Sequence, residues 1–186
     1  MRRFLFPILL SLSLLAACGR DQPASTAKPV ADFVLQTAVG PLDSHSLRGK
    51  VVLVFFGYTH CPDVCPASMA AGAQALTALS ASERANTRMI MISVDPDRDT
   101  PQRLKEYTAY FHPEMIGATG SPAEIEAVAR AYGAGYRKQA AAADGSYGVD
   151  HTSNTYLIGP DGRLVAVLPL GTPTADIAKA IRRLLP

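Results

Sequence analysis

Two short runs, residues 51–56 (VVLVFF) and 89–94 (MIMISV), are apolar on both of the alternating faces a strand would present. A strand with one side in water alternates apolar and polar residues, whereas a strand covered on both sides reads as a continuous apolar run. Both runs therefore predict central strands lying between layers of helix. An alanine-rich helical pattern at about residues 67–80 separates them. Strand, helix, strand closes as a right-handed crossover with the two strands parallel. Their carboxyl ends share one edge of the sheet, so the residues that follow each run meet on the same side of the domain.

The remaining chain fills in around this unit. Residues 32–37 and 42–47 predict a small initial hairpin or a pair of short strands. Thr100–Pro101, Ser121–Pro122 and Thr172–Pro173 each place a capping hydroxyl before a proline, whose missing N–H costs nothing in the first helical turn. Ser121 has Glu124 three residues on, a reciprocal capping box, and Gly133 can close that helix once Ile125, Val128, Ala129 and Tyr132 have formed one buried stripe. The last helix buries Ile177, Ile181 and Leu184 or Leu185. Residues 136–141 and 149–151 flank a turn at Asp144 and Gly145. Residues 154–158 and 163–168, joined by Gly159-Pro160-Asp161-Gly162, predict a hairpin. The order predicts an α/β domain, a thioredoxin-like three-layer fold with a central mixed β-sheet flanked by helices.

The first thirty residues read differently. Arg2 and Arg3 precede a 14-residue apolar or small run, residues 4–17, too short to span a bilayer, which takes about 20 residues. Residues 1–17 are therefore expected to be a signal peptide. Leu15, Ala16, Ala17 and Cys18 resemble the lipobox of bacterial lipoproteins, which implies lipidation of Cys18, attachment to a membrane and an extracytoplasmic location. Residues 18–30 are expected to be the lipidated cysteine and a tether, mixing Pro, Ser, Thr and charges without an apolar period. The folded domain is expected over residues 31–186. Arg2 and Arg3 are the only charges before Cys18, so the full-chain net charge of +2 falls to zero without them. No basic surface with interleaved aromatics remains to attract a phosphate backbone, which argues against nucleic acid as a partner.

With Cys18 lipidated, Cys61 and Cys65 are the only thiols of the mature domain, so its cysteine chemistry belongs to that pair. They follow the first central strand and open the next helix, where i and i+4 share a face. The N–H groups of a helix start favour thiolate, with Cys61 more exposed to that field and Cys65 one turn inward. The spacing is C-x3-C, wider than the C-x-x-C of thioredoxin-type oxidoreductases, and suits a metal held between two sulfurs at least as well as a disulfide. Pro62 and Pro66 stiffen the approach.

A third donor is needed, and four histidines are available. His45 and His112 fall away from the cysteine edge, and His60 reads as a rim residue. His151 precedes a strand that, run antiparallel to the central pair, begins at that edge. Two sulfurs and one imidazole suit Cu(I), accept Cu(II) with an added oxygen, and also suit zinc, so the donor set alone leaves the metal open. Asp95 ends the second central strand at the same edge; it can orient His151, supply a weak oxygen ligand, or anchor its loop. Arg98 is expected on a solvated face, paired with Asp97 or Asp99. An extracytoplasmic thiol-disulfide reductase or a peroxiredoxin-like enzyme using Cys61 and Cys65 is the alternative. Thr59 and Arg98 would serve the peroxidase form.

Three blocks carry a resemblance. FFGYTHCPDVCP at residues 55–66, SVDPDRDTP at 93–101 and DHTSNTYLIGPDG at 150–162 resemble, in this order, the Sco/SenC family of copper-dependent cytochrome c oxidase assembly proteins. The resemblance implies a thioredoxin-like domain binding Cu(I) or Cu(II) through Cys61, Cys65 and His151, with Asp95 matching an acidic residue near the family site. It further implies a metallochaperone and thiol reductant whose partners are a copper-receiving protein, cytochrome c oxidase subunit II, and a thiol-disulfide exchange partner.

Overall fold

A computed structural model describes residues 28–185. Its strands and helices, in chain order, are β1 (Lys28–Pro29), β2 (Val34–Thr37), β3 (Gly40–Asp43), β4 (Val51–Gly57), α1 (Val64–Thr77), α2 (Ala81–Ala85), β5 (Thr87–Ser93), α3 (Pro101–Phe111), β6 (Met115–Ala118), α4 (Pro122–Tyr132), β7 (Tyr136–Lys138), β8 (Val149–His151), β9 (Thr155–Ile158), β10 (Arg163–Leu168) and α5 (Thr174–Arg182). The central sheet has the order β1-β10-β9-β4-β5-β6, with β4, β5 and β6 parallel and β9 antiparallel to β4. This is the mixed, helix-flanked sheet of a thioredoxin-like fold.

Every residue of β4 is buried, because each of its faces meets a helix layer. Leu53 and Phe55 lie against the α1 side, where Leu53 shares a cavity wall with Ala67 and Gly72. Phe56 packs edge-on against Tyr132 of α4 and Tyr156 of β9 on the other side. Close approach of helix to sheet is permitted by two glycines. A Cβ on Gly72 would collide with Met89, and one on Gly117 with the backbone of Leu104.

Local chemistry sets most boundaries as expected. Thr100 and Ser121 cap α3 and α4 through their hydroxyls, and the Ser121–Glu124 box is reciprocal. Gly133 closes α4 at φ 71°, a conformation only glycine adopts without strain. The stripe of Ile125, Val128, Ala129 and Tyr132 is buried.

Several expectations are corrected. Thr172 caps nothing: its hydroxyl donates to the Pro169 carbonyl, and α5 begins at Thr174 without a side-chain cap. The strand expected to reach residue 47 stops at Asp43, whose carboxylate accepts from the His45 N–H and starts a 3₁₀ turn over Ser44–Leu47. Helix α1 begins at Val64, a turn earlier than the alanine pattern, because Pro66 is tolerated in a first turn. The strand after α4 ends at Lys138, not residue 141. Strand β6 and the short helix α2, with its own Ser80–Glu83 capping box, were not legible in the pattern. Lys28 and Pro29, within the stretch expected to be a tether, pair with Leu164 and Arg163 on the sheet edge. The expected signal peptide and lipidated Cys18 lie outside the described residues. Among those described, no helix is long and apolar enough to cross a membrane.

Candidate metal centre

Cys61 sits in the turn after β4, Cys65 in the first turn of α1, and His151 at the end of β8. Pairing of β9 with β4, Thr155 opposite Phe55, returns the late chain to the edge where β4 ends. One donor atom from each of the three residues lies within 4.8 Å of the others, the only such cluster of His, Cys, Asp and Glu groups among the described residues. His151 Nε2 is 3.2 Å from Cys65 Sγ and 4.0 Å from Cys61 Sγ. Both cysteines are free thiols.

The surroundings orient these atoms. The Thr152 carbonyl, 3.1 Å from His151 Nδ1, accepts a hydrogen bond from its N–H, which leaves the Nε2 lone pair facing the sulfurs. Phe55 and Tyr58 hold the imidazole edge-on, with ring centroids 5.9 and 5.8 Å away. Burial depresses the proton affinity of His151 below the usual imidazole range, only partly offset by hydrogen bonds to backbone at Thr152 and Phe56. The ring is therefore neutral, the form that can donate a lone pair. The Cys65 N–H points at Cys61 Sγ, 3.4 Å away, so the open end of α1 is aimed at the outer sulfur.

Cys65 itself departs from expectation. Its side chain is fully buried, and desolvation pushes its thiol far above the usual range, against a smaller lowering by a backbone hydrogen bond at Tyr58. Proximity to a helix start does not favour thiolate there, because burial outweighs it. A soft cation entering between the sulfurs would supply the missing compensating charge.

Gly57 was not singled out from sequence, although it sits inside the first block. A Cβ there would lie 2.9 Å from Cys65 Sγ and 2.6 Å from the Phe55 ring. Its lack of a side chain leaves room for the sulfur. Asp99 was also missed as part of the site. Fully buried, it accepts from the Thr59 N–H, the Thr59 hydroxyl and the Ser93 hydroxyl, tying the loop that carries Cys61 to the end of β5.

Asp95 lies outside the donor cluster. Its carboxylate accepts from the Tyr147 hydroxyl at 2.8 Å and from Arg98 Nε, while its N–H bonds Ser93. These are the bonds of a loop anchor. Arg98 pairs with Asp95, not with Asp97 or Asp99, and is largely withdrawn from solvent; Asp97 pairs with Lys138 instead. With Thr59 committed to Asp99 and Arg98 to Asp95, neither serves a sulfur as a peroxidase would need. His60 is a rim residue contacting Thr59 and Arg103. His45 and His112 bond locally, to Asp32 and Asp43 and to the Glu114 N–H, away from the cysteines.

A family described as SCO1/SenC matches residues 21–186. "Protein SCO1 homolog 1, mitochondrial" of Arabidopsis thaliana is 42% identical over 120 residues, 64% of this chain; the chain spans only about a third of that relative, 36% of its length. The apo Sco1 protein of Thermus thermophilus, solved in solution, is 37% identical with a TM-score of 0.79, covering 86% of this chain and 92% of that one. Bradyrhizobium japonicum ScoI with copper bound is 39% identical with a TM-score of 0.77, covering 84% and 99%. A family match that runs from before the first strand to the last residue, over a fold that superimposes on solved members, establishes that this chain belongs to the SCO1/SenC family.

Proposed function

We propose that this chain is a copper metallochaperone and thiol redox protein that assists assembly of the dinuclear copper centre of cytochrome c oxidase. The observation that carries the reading is the convergence of Cys61 Sγ, Cys65 Sγ and His151 Nε2 within 4.8 Å at the mouth of α1. Two sulfurs and a neutral imidazole form a soft, three-donor set, and soft donors select Cu(I) over hard cations. Relatives solved with copper bound support copper over zinc as the cargo. The lipobox-like Leu15–Ala16–Ala17–Cys18 supports anchoring by lipid on the extracytoplasmic face of a bacterial membrane.

Loading requires the thiol protons to leave, and burial of Cys65 makes that proton the costly one. His151 gives up none, being neutral already. Delivery is ligand exchange. The rim donors, Cys61 and His151, are more accessible than the fully buried Cys65, so sulfur and imidazole ligands of a copper-receiving protein, such as oxidase subunit II, replace them first. The same pair can reduce a disulfide in a partner. Cys61 thiolate attacks one partner sulfur, the partner S–S bond breaks and a mixed disulfide forms. Cys65 then attacks Cys61 Sγ, and the partner leaves as a dithiol carrying two electrons, with Cys61–Cys65 oxidised. Exposure favours Cys61 as the attacking sulfur. A mixed disulfide trapped only when Cys61 is replaced and Cys65 retained would overturn that order.

The test is titration of the reduced protein, with Cu(II) followed by thiolate-to-metal absorption and Cu(I) by competition with a chelator. His151→Ala should lower affinity by at least about tenfold, equivalent to roughly 1.4 kcal/mol, with the fold intact. Unchanged affinity for both oxidation states would remove His151 from the site. Rapid peroxide turnover by metal-free protein would favour the enzymatic alternative.

A further inference from the structure

The hairpin that brings His151 to the sulfurs is not part of the central sheet. Strands β7 and β8 pair only with each other, and the loop between them is exposed over residues 139–146. At its base the hairpin is closed by Thr152, whose N–H and hydroxyl bond the Gly135 carbonyl while its hydroxyl accepts from the Gly135 N–H. A two-stranded ribbon of three residues a side is marginal on its own. Something else must hold His151 in place before a metal does.

We propose that Arg98 is a positioning residue for His151, clamping the returning arm of this hairpin to the loop after β5. The clamp has three parts. Arg98 Nε bonds the buried Asp95 carboxylate, which fixes the guanidinium against the end of β5. From there Nη1 donates to the Tyr147 carbonyl at 3.1 Å, and the guanidinium carbon lies 3.6 Å from the centre of the Tyr147 ring. The Tyr147 hydroxyl closes the circuit by donating to the other Asp95 oxygen at 2.8 Å. Lys138, on the opposite arm, also stacks on the Tyr147 ring at 4.0 Å and bonds Asp97 of the same loop.

The clamp reaches the imidazole by two routes. Tyr147 is four residues before His151 on the same arm, so its position sets where β8 begins. The second route runs through Tyr58. Arg98 lies 5.7 Å from that ring, the Tyr58 hydroxyl accepts from the Val149 N–H at 3.3 Å, and the ring meets the His151 imidazole edge-on. Arg98 Nη2 is buried and has no hydrogen-bond partner among the described residues. Leaving a buried guanidinium N–H unpaired is unfavourable, so the site retains this cation at a cost in stability. The inference rests on His151 being a copper ligand, and goes beyond it by assigning what delivers that ligand. Outer residues that orient a metal ligand typically change affinity about 10–100-fold when removed.

The experiment uses Arg98→Leu and Tyr147→Ala in the purified reduced protein. The second variant opens the clamp while leaving Asp95 paired, so that its result stands if loss of Arg98 destabilises the domain. In the metal-free protein, amide exchange at Val149 and Thr152 should quicken by at least about tenfold, with exchange at Leu53 and Ile90 unchanged. Cu(II) affinity should fall about 10–100-fold, and the thiolate-to-copper absorption should shift to that of His151→Ala. In a His151→Ala background neither substitution should weaken binding further, because the ligand it positions is gone. Wild-type exchange at Val149 in both variants, or a full additional loss on top of His151→Ala, would overturn the assignment. If His151→Ala alone leaves copper affinity unchanged, the copper reading falls, and the exchange result decides on its own whether the clamp holds the hairpin.

Discussion

Gly57→Ala separates fold from metal site with a single methyl group. Gly57 ends β4 with no positive φ, so alanine introduces no backbone strain, and its effect is steric. The new Cβ would stand 2.6 Å from Phe55 Cε1 and 2.9 Å from Cys65 Sγ, whereas ordinary contact begins at 3.4 Å. The sulfur must therefore retreat by about 3.4 − 2.9, or half an ångström, and the fully buried Phe55 ring must tilt by more. Overpacking of this kind costs about 1–3 kcal/mol, which in a domain of this size lowers the melting temperature of reduced, metal-free protein by roughly 2–12 °C. Metal–ligand distances tolerate only about 0.2 Å of error, so a displacement of half an ångström at one of three donors should also weaken copper binding by about tenfold or more. Thermal melts with chelator competition read both effects on the same sample. Wild-type affinity in a variant whose melting temperature has fallen would show that the sulfur's place is not set by the space over Gly57. Wild-type values of both would refute the steric reasoning outright.

Apparent copper affinity should rise with pH between about 7 and 8, by about tenfold per unit for each proton displaced, because the Cys65 thiol holds its proton above the usual range while burial of His151 favours its neutral form. Competition with a chelator of known protonation measures this, and a flat profile would exclude Cys65 as a thiolate ligand. The caps offer a contrast in stability alone. Ser121→Ala removes a reciprocal capping box and should cost about 1 kcal/mol, whereas Thr172→Ala, at a threonine that caps no helix, should stay within about 0.5 kcal/mol, with copper binding unchanged in both. Urea unfolding of the reduced protein distinguishes the two, and equal losses would refute the assigned helix start at Thr174.

Features legible in the sequence are those whose causes lie within a few residues. The continuous apolar runs of β4 and β5 reflect burial on both sides, and each of the caps at Thr100 and Ser121 is one hydroxyl over one exposed N–H. Where a boundary depended on a competing local bond it was misread. Thr172 turned back to Pro169, and Asp43 converted the end of an expected strand into a 3₁₀ turn. Strand β6 escaped because MIGA is short and carries Gly117, whose job is to let α3 approach, a reason that no pattern in its own residues reveals.

The amino-acid order alone placed two thiols at the opening of a helix beside a buried strand and supplied the soft donors that suit copper. Choosing His151 from four histidines was possible only by assuming how the late strand returns, and that return is made by β9 pairing with β4 across the middle of the chain. Tertiary structure alone decided that Asp95 belongs to Arg98 and Tyr147, that Gly57 makes room for a sulfur, and that Cys65 holds its proton tightly. Periodicity and capping are written in neighbouring residues. Ion-pair partners, steric vacancies and desolvation are set by segments dozens of residues apart, and they exist only once the packed core has brought those segments together.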